Sequence, residues 1–94
     1  MKHYIIAKFN DGCDWKALVE PITAVFQGVL TVPGVHGVKV KPCCIDRANR
    51  YDIMIEIEMD KEALPLYDAC EAHHAWKDTY GGMLKAKTIF DSEE

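Results

Sequence analysis

The chain has 94 residues, of which 49% are apolar and 28% charged, with a formal net charge of -4. That describes one globular domain, too acidic to track nucleic-acid phosphates and without the roughly 20 consecutive apolar residues of a membrane span. The four cysteines make no C-x-x-C pair and the start lacks a signal peptide's long apolar core, so a cytoplasmic protein with free thiols and no zinc knuckle is expected.

His3 to Phe9, an apolar run closed by Asn10-Asp11-Gly12, reads as the first strand. Asp14 is placed to cap the helix that follows. There Leu18, Ile22, Val25, Phe26, Val29 and Leu30 recur at helical intervals and make one apolar stripe. Pro21 lacks the N–H owed to the carbonyl four residues back, which predicts a kink, or a short leading turn before a main helix starting at Pro21. The helix stops at Val32, because Pro33-Gly34 suits the centre of a type II turn.

Val35 to Cys43 is the second strand, and the charged loop Asp46-Arg47-Ala48-Asn49-Arg50 leads into the third, Tyr51 to Met59. Alternation sets Tyr51, Ile53, Ile55, Ile57 and Met59 on one face of it and Asp52, Met54, Glu56 and Glu58 on the other. Asp60 is placed to cap a second helical region, in which Pro65 falls near the first turn and costs little. Gly81-Gly82 ends that region, Lys85 to Asp91 gives a fourth strand, and Ser92-Glu93-Glu94 is an acidic tail.

The order β-α-β-β-α-β predicts an α+β fold of the ferredoxin-like type, a single domain spanning 1–94. Strands one and three are central, and both helices cover one face of a four-stranded antiparallel sheet. Strand one is apolar on both faces, with Ile5, Ala7 and Phe9 on one side and Tyr4 and Ile6 on the other. Its own helices cover only one of them, so a homodimer that packs sheet on sheet is expected.

The segment Tyr67 to Phe90, YDACEAHHAWKDTYGGMLKAKTIF, sets a tyrosine, a cysteine, two adjacent histidines and a tryptophan on one helical stretch just before the last strand. A histidine titrating near neutrality removes a proton next to a carbonyl, and a tyrosine hydroxyl stabilises the enolate oxygen that forms. His73 and Tyr67 are therefore the candidate catalytic pair; the alternative is two amphipathic edge residues with their polar tips in water or on backbone. His3 and Trp76 are the candidates for substrate contact, with an edge histidine and a core tryptophan as the plainer readings. Cys70 with His73 or His74 has the helical spacing of two metal ligands, but no motif supplies the remaining ligands, so no metal or cofactor is expected. No phosphate cradle, nucleophile elbow or paired-acid motif is present.

Several pieces of the chain, in this order, resemble the stress-responsive α/β-barrel (Dabb) family. They are Lys2-His3 with Lys8-Phe9, Val32-Pro33-Gly34-Val35, Asn49-Arg50-Tyr51-Asp52, Ala63-Leu64 with Tyr67, His73 with Trp76, and Ile89-Phe90-Asp91. The resemblance implies a homodimer whose two sheets close into one barrel with the helices outside. It implies a cofactor-independent acid–base enzyme of cyclase, isomerase or lyase type on a small carbonyl compound; the alternative is a non-enzymatic dimer that binds a small ligand or serves as a structural stress protein. In the family's plant polyketide cyclases a histidine matching His73 acts as base, a tyrosine matching Tyr67 assists, and a first-strand histidine matching His3 lies nearby. Family members often read His-Pro-x-His where this chain has Cys70-Glu71-Ala72-His73. That proline breaks the helix and turns the second histidine inward. An unbroken helix would align Tyr67 with His74 and leave His73 about 240° away, so only a break near Glu71 brings His73 to Tyr67.

Overall fold

A computed structural model describes residues 1–94 as four strands, three α-helices and four short 3-10 turns. Strand β1 is Lys2–Phe9, helix α1 is Val19–Gln27, β2 is Val35–Pro42, β3 is Ile53–Met59, α2 is Leu64–Asp68, α3 is Glu71–Tyr80 and β4 is Leu84–Ser92. The sheet is antiparallel in the order β2-β3-β1-β4, so β1 and β3 are central as the pattern predicts. No helix is long and apolar enough to cross a membrane.

One face of the sheet makes the core. Ile5, Ala7 and Phe9 of β1 pack with Ile53, Ile55, Ile57 and Met59 of β3, and Ile22, Phe26, Val29, Tyr67 and Trp76 close over them. These residues fall at alternate strand positions and at helical intervals, so period 2 and period 3.6 meet in one apolar layer. The opposite face has no such cover. Tyr4 and Ile6 of β1 and Met54 of β3 are half-buried there, and Phe90 of β4 is 59% exposed. Val38 and Val40 pack on the core, which sends Lys39 and Lys41 to the open side, where Lys41 approaches the mostly buried Glu56 at 3.6 Å.

Local chemistry explains most boundaries. A 3-10 turn at Trp15–Leu18 precedes α1, which begins at Val19 and not at Pro21. Pro21 thus sits in the first turn, where a helix has no use for its missing N–H. Gly34 has φ 88°, the conformation a type II turn requires after Pro33, and a Cβ there would meet Ala63 Cβ at 2.8 Å. The Asp60 N–H donates to the Gly34 carbonyl at 2.8 Å and ties the turn to the start of the second helical region.

Three expectations need correction. Neither Asp14 nor Asp60 uses its side chain as a helix cap; Asp60 pairs with His36 at 2.9 Å instead. Tyr51 lies before β3 and does not continue the alternation of Ile53 and Ile55. Its hydroxyl reaches Thr88 Oγ1 at 3.0 Å, while Asp52 accepts the Phe9 N–H at 2.8 Å beside the bulge of β1 against β4.

Candidate acid–base site

The chain between Asp68 and Glu71 decides where the histidines point. Ala69 is still near-helical, but Cys70 is extended at φ -74°, ψ 157°, and a new helix starts at Glu71. Cys70 takes the N-cap position of α3: its Sγ accepts the backbone N–H of His73 at 3.4 Å, one of the donors a helix start leaves without an internal partner. Glu71 in the first turn adds a favourable charge at the positive end of the helix. The break that brings His73 towards Tyr67 is therefore present without a proline, and a thiol supplies the cap.

His73 lies against Tyr67 with ring centroids 4.7 Å apart, and His74 is exposed. His3, 6% exposed on the core face of β1, stacks on the other side of Tyr67 at 5.2 Å. The phenol is fully buried between two imidazoles. Its hydroxyl is the one buried side-chain polar atom with no hydrogen-bond partner in the protein. Burial first, then the nearby Cys70 and Asp68, push the Tyr67 phenol well above its ordinary range, so it stays a neutral donor.

Each imidazole is oriented by a partner that can only accept. His73 Nδ1 is 2.9 Å from the Asp68 carbonyl oxygen, so Nδ1 carries the proton and donates. His3 Nδ1 is 2.5 Å from Asp91 Oδ1, where the carboxylate accepts. In the neutral form of either ring the lone pair therefore sits on Nε2, the atom available for proton abstraction. Asp91 is the site residue that sequence reasoning missed. His3 and Asp91 stand opposite each other in the β1–β4 ladder, a pairing that needs the strand register and not only the strands.

An open cleft of about 310 Å³ lies beside this stack, lined by His3, His73, Leu64, Asp68, Lys77, Lys87, Ile89 and Asp91. The cleft is mostly polar and Tyr67 does not line it. The phenol contacts both imidazoles and has no accessible surface. Trp76 also lies outside the cleft. It is 1% exposed and packs on Phe26 at 5.3 Å and Tyr80 at 5.7 Å. The structure thus brings together His3, Tyr67 and His73, and sets Trp76 in the core.

The sequence matches no protein-family model and no curated protein. Solved structures are similar in fold. A dimeric ferredoxin-like protein of unknown function from Thermobifida fusca superposes with a TM-score of 0.79 at 18% identity, over 95% of this chain and 85% of that one. A Dabb family protein with a ferredoxin-like fold from Mesorhizobium loti gives 0.73 at 12% identity, over 99% and 94% of the two chains. Hydroxynitrile lyase from Passiflora edulis gives 0.72 at 11% identity, over 99% and 94%. Identities this low carry the fold alone.

Proposed function

We propose that this chain is a Dabb-type homodimer and a cofactor-independent acid–base enzyme acting on a small carbonyl compound. The observation that carries this reading is the buried Tyr67 hydroxyl, unpaired and flanked by His3 and His73. An unsatisfied buried donor costs on the order of 1–3 kcal/mol, a cost relieved when a substrate oxygen accepts its hydrogen bond.

In the proposed reaction His73 Nε2 takes a proton from the carbon next to the carbonyl. The C–H pair becomes the new C=C bond, the carbonyl π pair moves to oxygen, and the neutral Tyr67 phenol donates to that oxygen. Tyr67 has no accessible surface, so this step requires the two imidazoles to part and admit the substrate oxygen. Asp68 holds the His73 tautomer, and Asp91 does the same for His3. The same fold also serves a hydroxynitrile lyase, so chemistry at a carbonyl carbon is compatible with the architecture. The dimer is supported by the half-apolar open sheet face and by neighbours described as dimeric.

The test is deuterium incorporation next to the carbonyl of small ketones, followed by proton NMR. His73→Ala should lose exchange by roughly 10²–10⁴-fold, while His74→Ala retains it. Equal loss in both variants, or no exchange by the unmodified protein, overturns the assignment.

A second reading, a non-enzymatic dimer, is favoured by the filled interior, where Tyr67 and Trp76 are both core residues. It requires that no carbonyl compound in a broad panel raises the melting temperature, because a ligand that binds only the folded state must raise it.

A further inference from the structure

The cleft's lining residues differ in exposure and charge. His3 is 6% exposed and His73 half-buried, whereas Lys77 from α3 and Lys87 from β4 are exposed. Lys77 follows His73 by one helical turn and shares its face. Lys87, Ile89 and Asp91 alternate along β4 and so share a face of the strand.

Neither lysine has a carboxylate partner. Lys41, Lys61 and Lys85 are paired at 3.6, 2.8 and 3.4 Å with Glu56, Glu93 and Asp11. Of the two acids in the cleft, Asp91 is engaged by His3. Asp68 remains, and it pairs with neither lysine. Lys2, Lys16 and Lys39 also lack a carboxylate partner, but Lys77 and Lys87 are the two such cations that line one cleft with the imidazoles.

We propose that the cleft takes a small oxo acid. Its carboxylate is held by Lys77 and Lys87 while its carbonyl end lies towards His73 and Tyr67. This names the substrate class for the acid–base reading above and rests on it. The volume of about 310 Å³ is at the low end for ligand sites, which suits a short acid and not a long chain. The lysines fix which end of the substrate enters first, and the imidazoles meet the end that reacts.

The experiment compares 4-oxopentanoate and 5-oxohexanoate with their methyl esters, which keep the ketone and lose the charge. Binding is read from backbone amide shifts in NMR titrations, and reaction from deuterium incorporation. The acids should half-saturate at concentrations about tenfold or more below their esters, as expected for a hydrogen bond to a charged group. In the double variant Lys77→Met, Lys87→Met that preference should fall to about twofold or less, and arginine at both positions should restore it. Equal saturation by acid and ester, a preference that survives the double variant, or no binding of any acid overturns the proposal. Exchange on acids and esters alike sinks the carboxylate site and leaves the base intact. Lysine-dependent binding without exchange does the reverse.

Discussion

Two aromatic clusters share a similar spacing of rings, yet they differ in chemistry. In one, Trp76 sits between Phe26 and Tyr80 at centroid distances of 5.3 and 5.7 Å; in the other, Tyr67 sits between His3 and His73 at 5.2 and 4.7 Å. The first buries carbon against carbon and holds no buried side-chain polar atom that lacks a partner. The second keeps a phenol out of water without a partner and covers it with two imidazoles. Packing alone would favour a phenylalanine there. A donor buried against its own desolvation is what makes Tyr67, and not Trp76, the candidate site residue.

The comparison can be broken most forcefully at its packed half. Trp76→Ala should cost about 3–5 kcal/mol, the range for deleting a buried aromatic, read as a shifted midpoint in urea unfolding. A cost near zero would mean that Trp76 is not core and would return it to the substrate contacts.

At the other centre the sign reverses. Tyr67→Phe should stabilise the fold by about 1–3 kcal/mol, because it removes an unsatisfied buried hydroxyl. It should also flatten the alkaline limb of the stability curve. The folded chain holds the phenol proton more tightly than the unfolded chain, whose phenol has the ordinary value of 10.0. The contribution of this phenol is therefore intact below about pH 10 and is lost as the pH rises beyond it. Thermal scans from pH 8 to 11 on both proteins check the difference.

The junction between the clusters gives a smaller effect. Cys70→Ala removes the acceptor for the His73 N–H and should cost about 0.5–1 kcal/mol, the low end for an N-cap since sulfur accepts weakly. It should also weaken the NOE contacts between the Tyr67 and His73 rings. Unchanged stability and contacts would mean that the break is held by other interactions. His74→Ala, at an exposed position, should change stability by less than about 0.5 kcal/mol.

The sequence reveals the fold more fully than the site, for a physical reason. Strands and helices are written in short-range periodicity: Ile53, Ile55 and Ile57 alternate, and Ile22, Phe26 and Val29 recur by turns. Pro33-Gly34 names its turn because only glycine tolerates φ 88° beside Ala63. The site depends on longer-range facts. Asp91 meets His3 only through the β1–β4 register, and the bulge near Phe9 leaves that register undefined by turn chemistry alone. The turn of His73 depends on one extended residue, Cys70, whose cap leaves no familiar signature, since helix caps are usually Ser, Thr, Asp or Asn. Tyr51 departs from the pattern for a related reason: the alternation of the sequence runs through it, but Asp52 is recruited to the β1 bulge and the strand starts later.

The rate of deuterium incorporation next to a ketone carbonyl in Tyr67→Phe, measured beside its unfolding midpoint, tests the central claim most directly. The account predicts a protein that is more stable than its parent and exchanges at least about a hundredfold more slowly, the loss expected when one oxyanion donor is removed. A folded Tyr67→Phe protein that exchanges at the parent rate would contradict it, for the buried phenol would then be packing and nothing more.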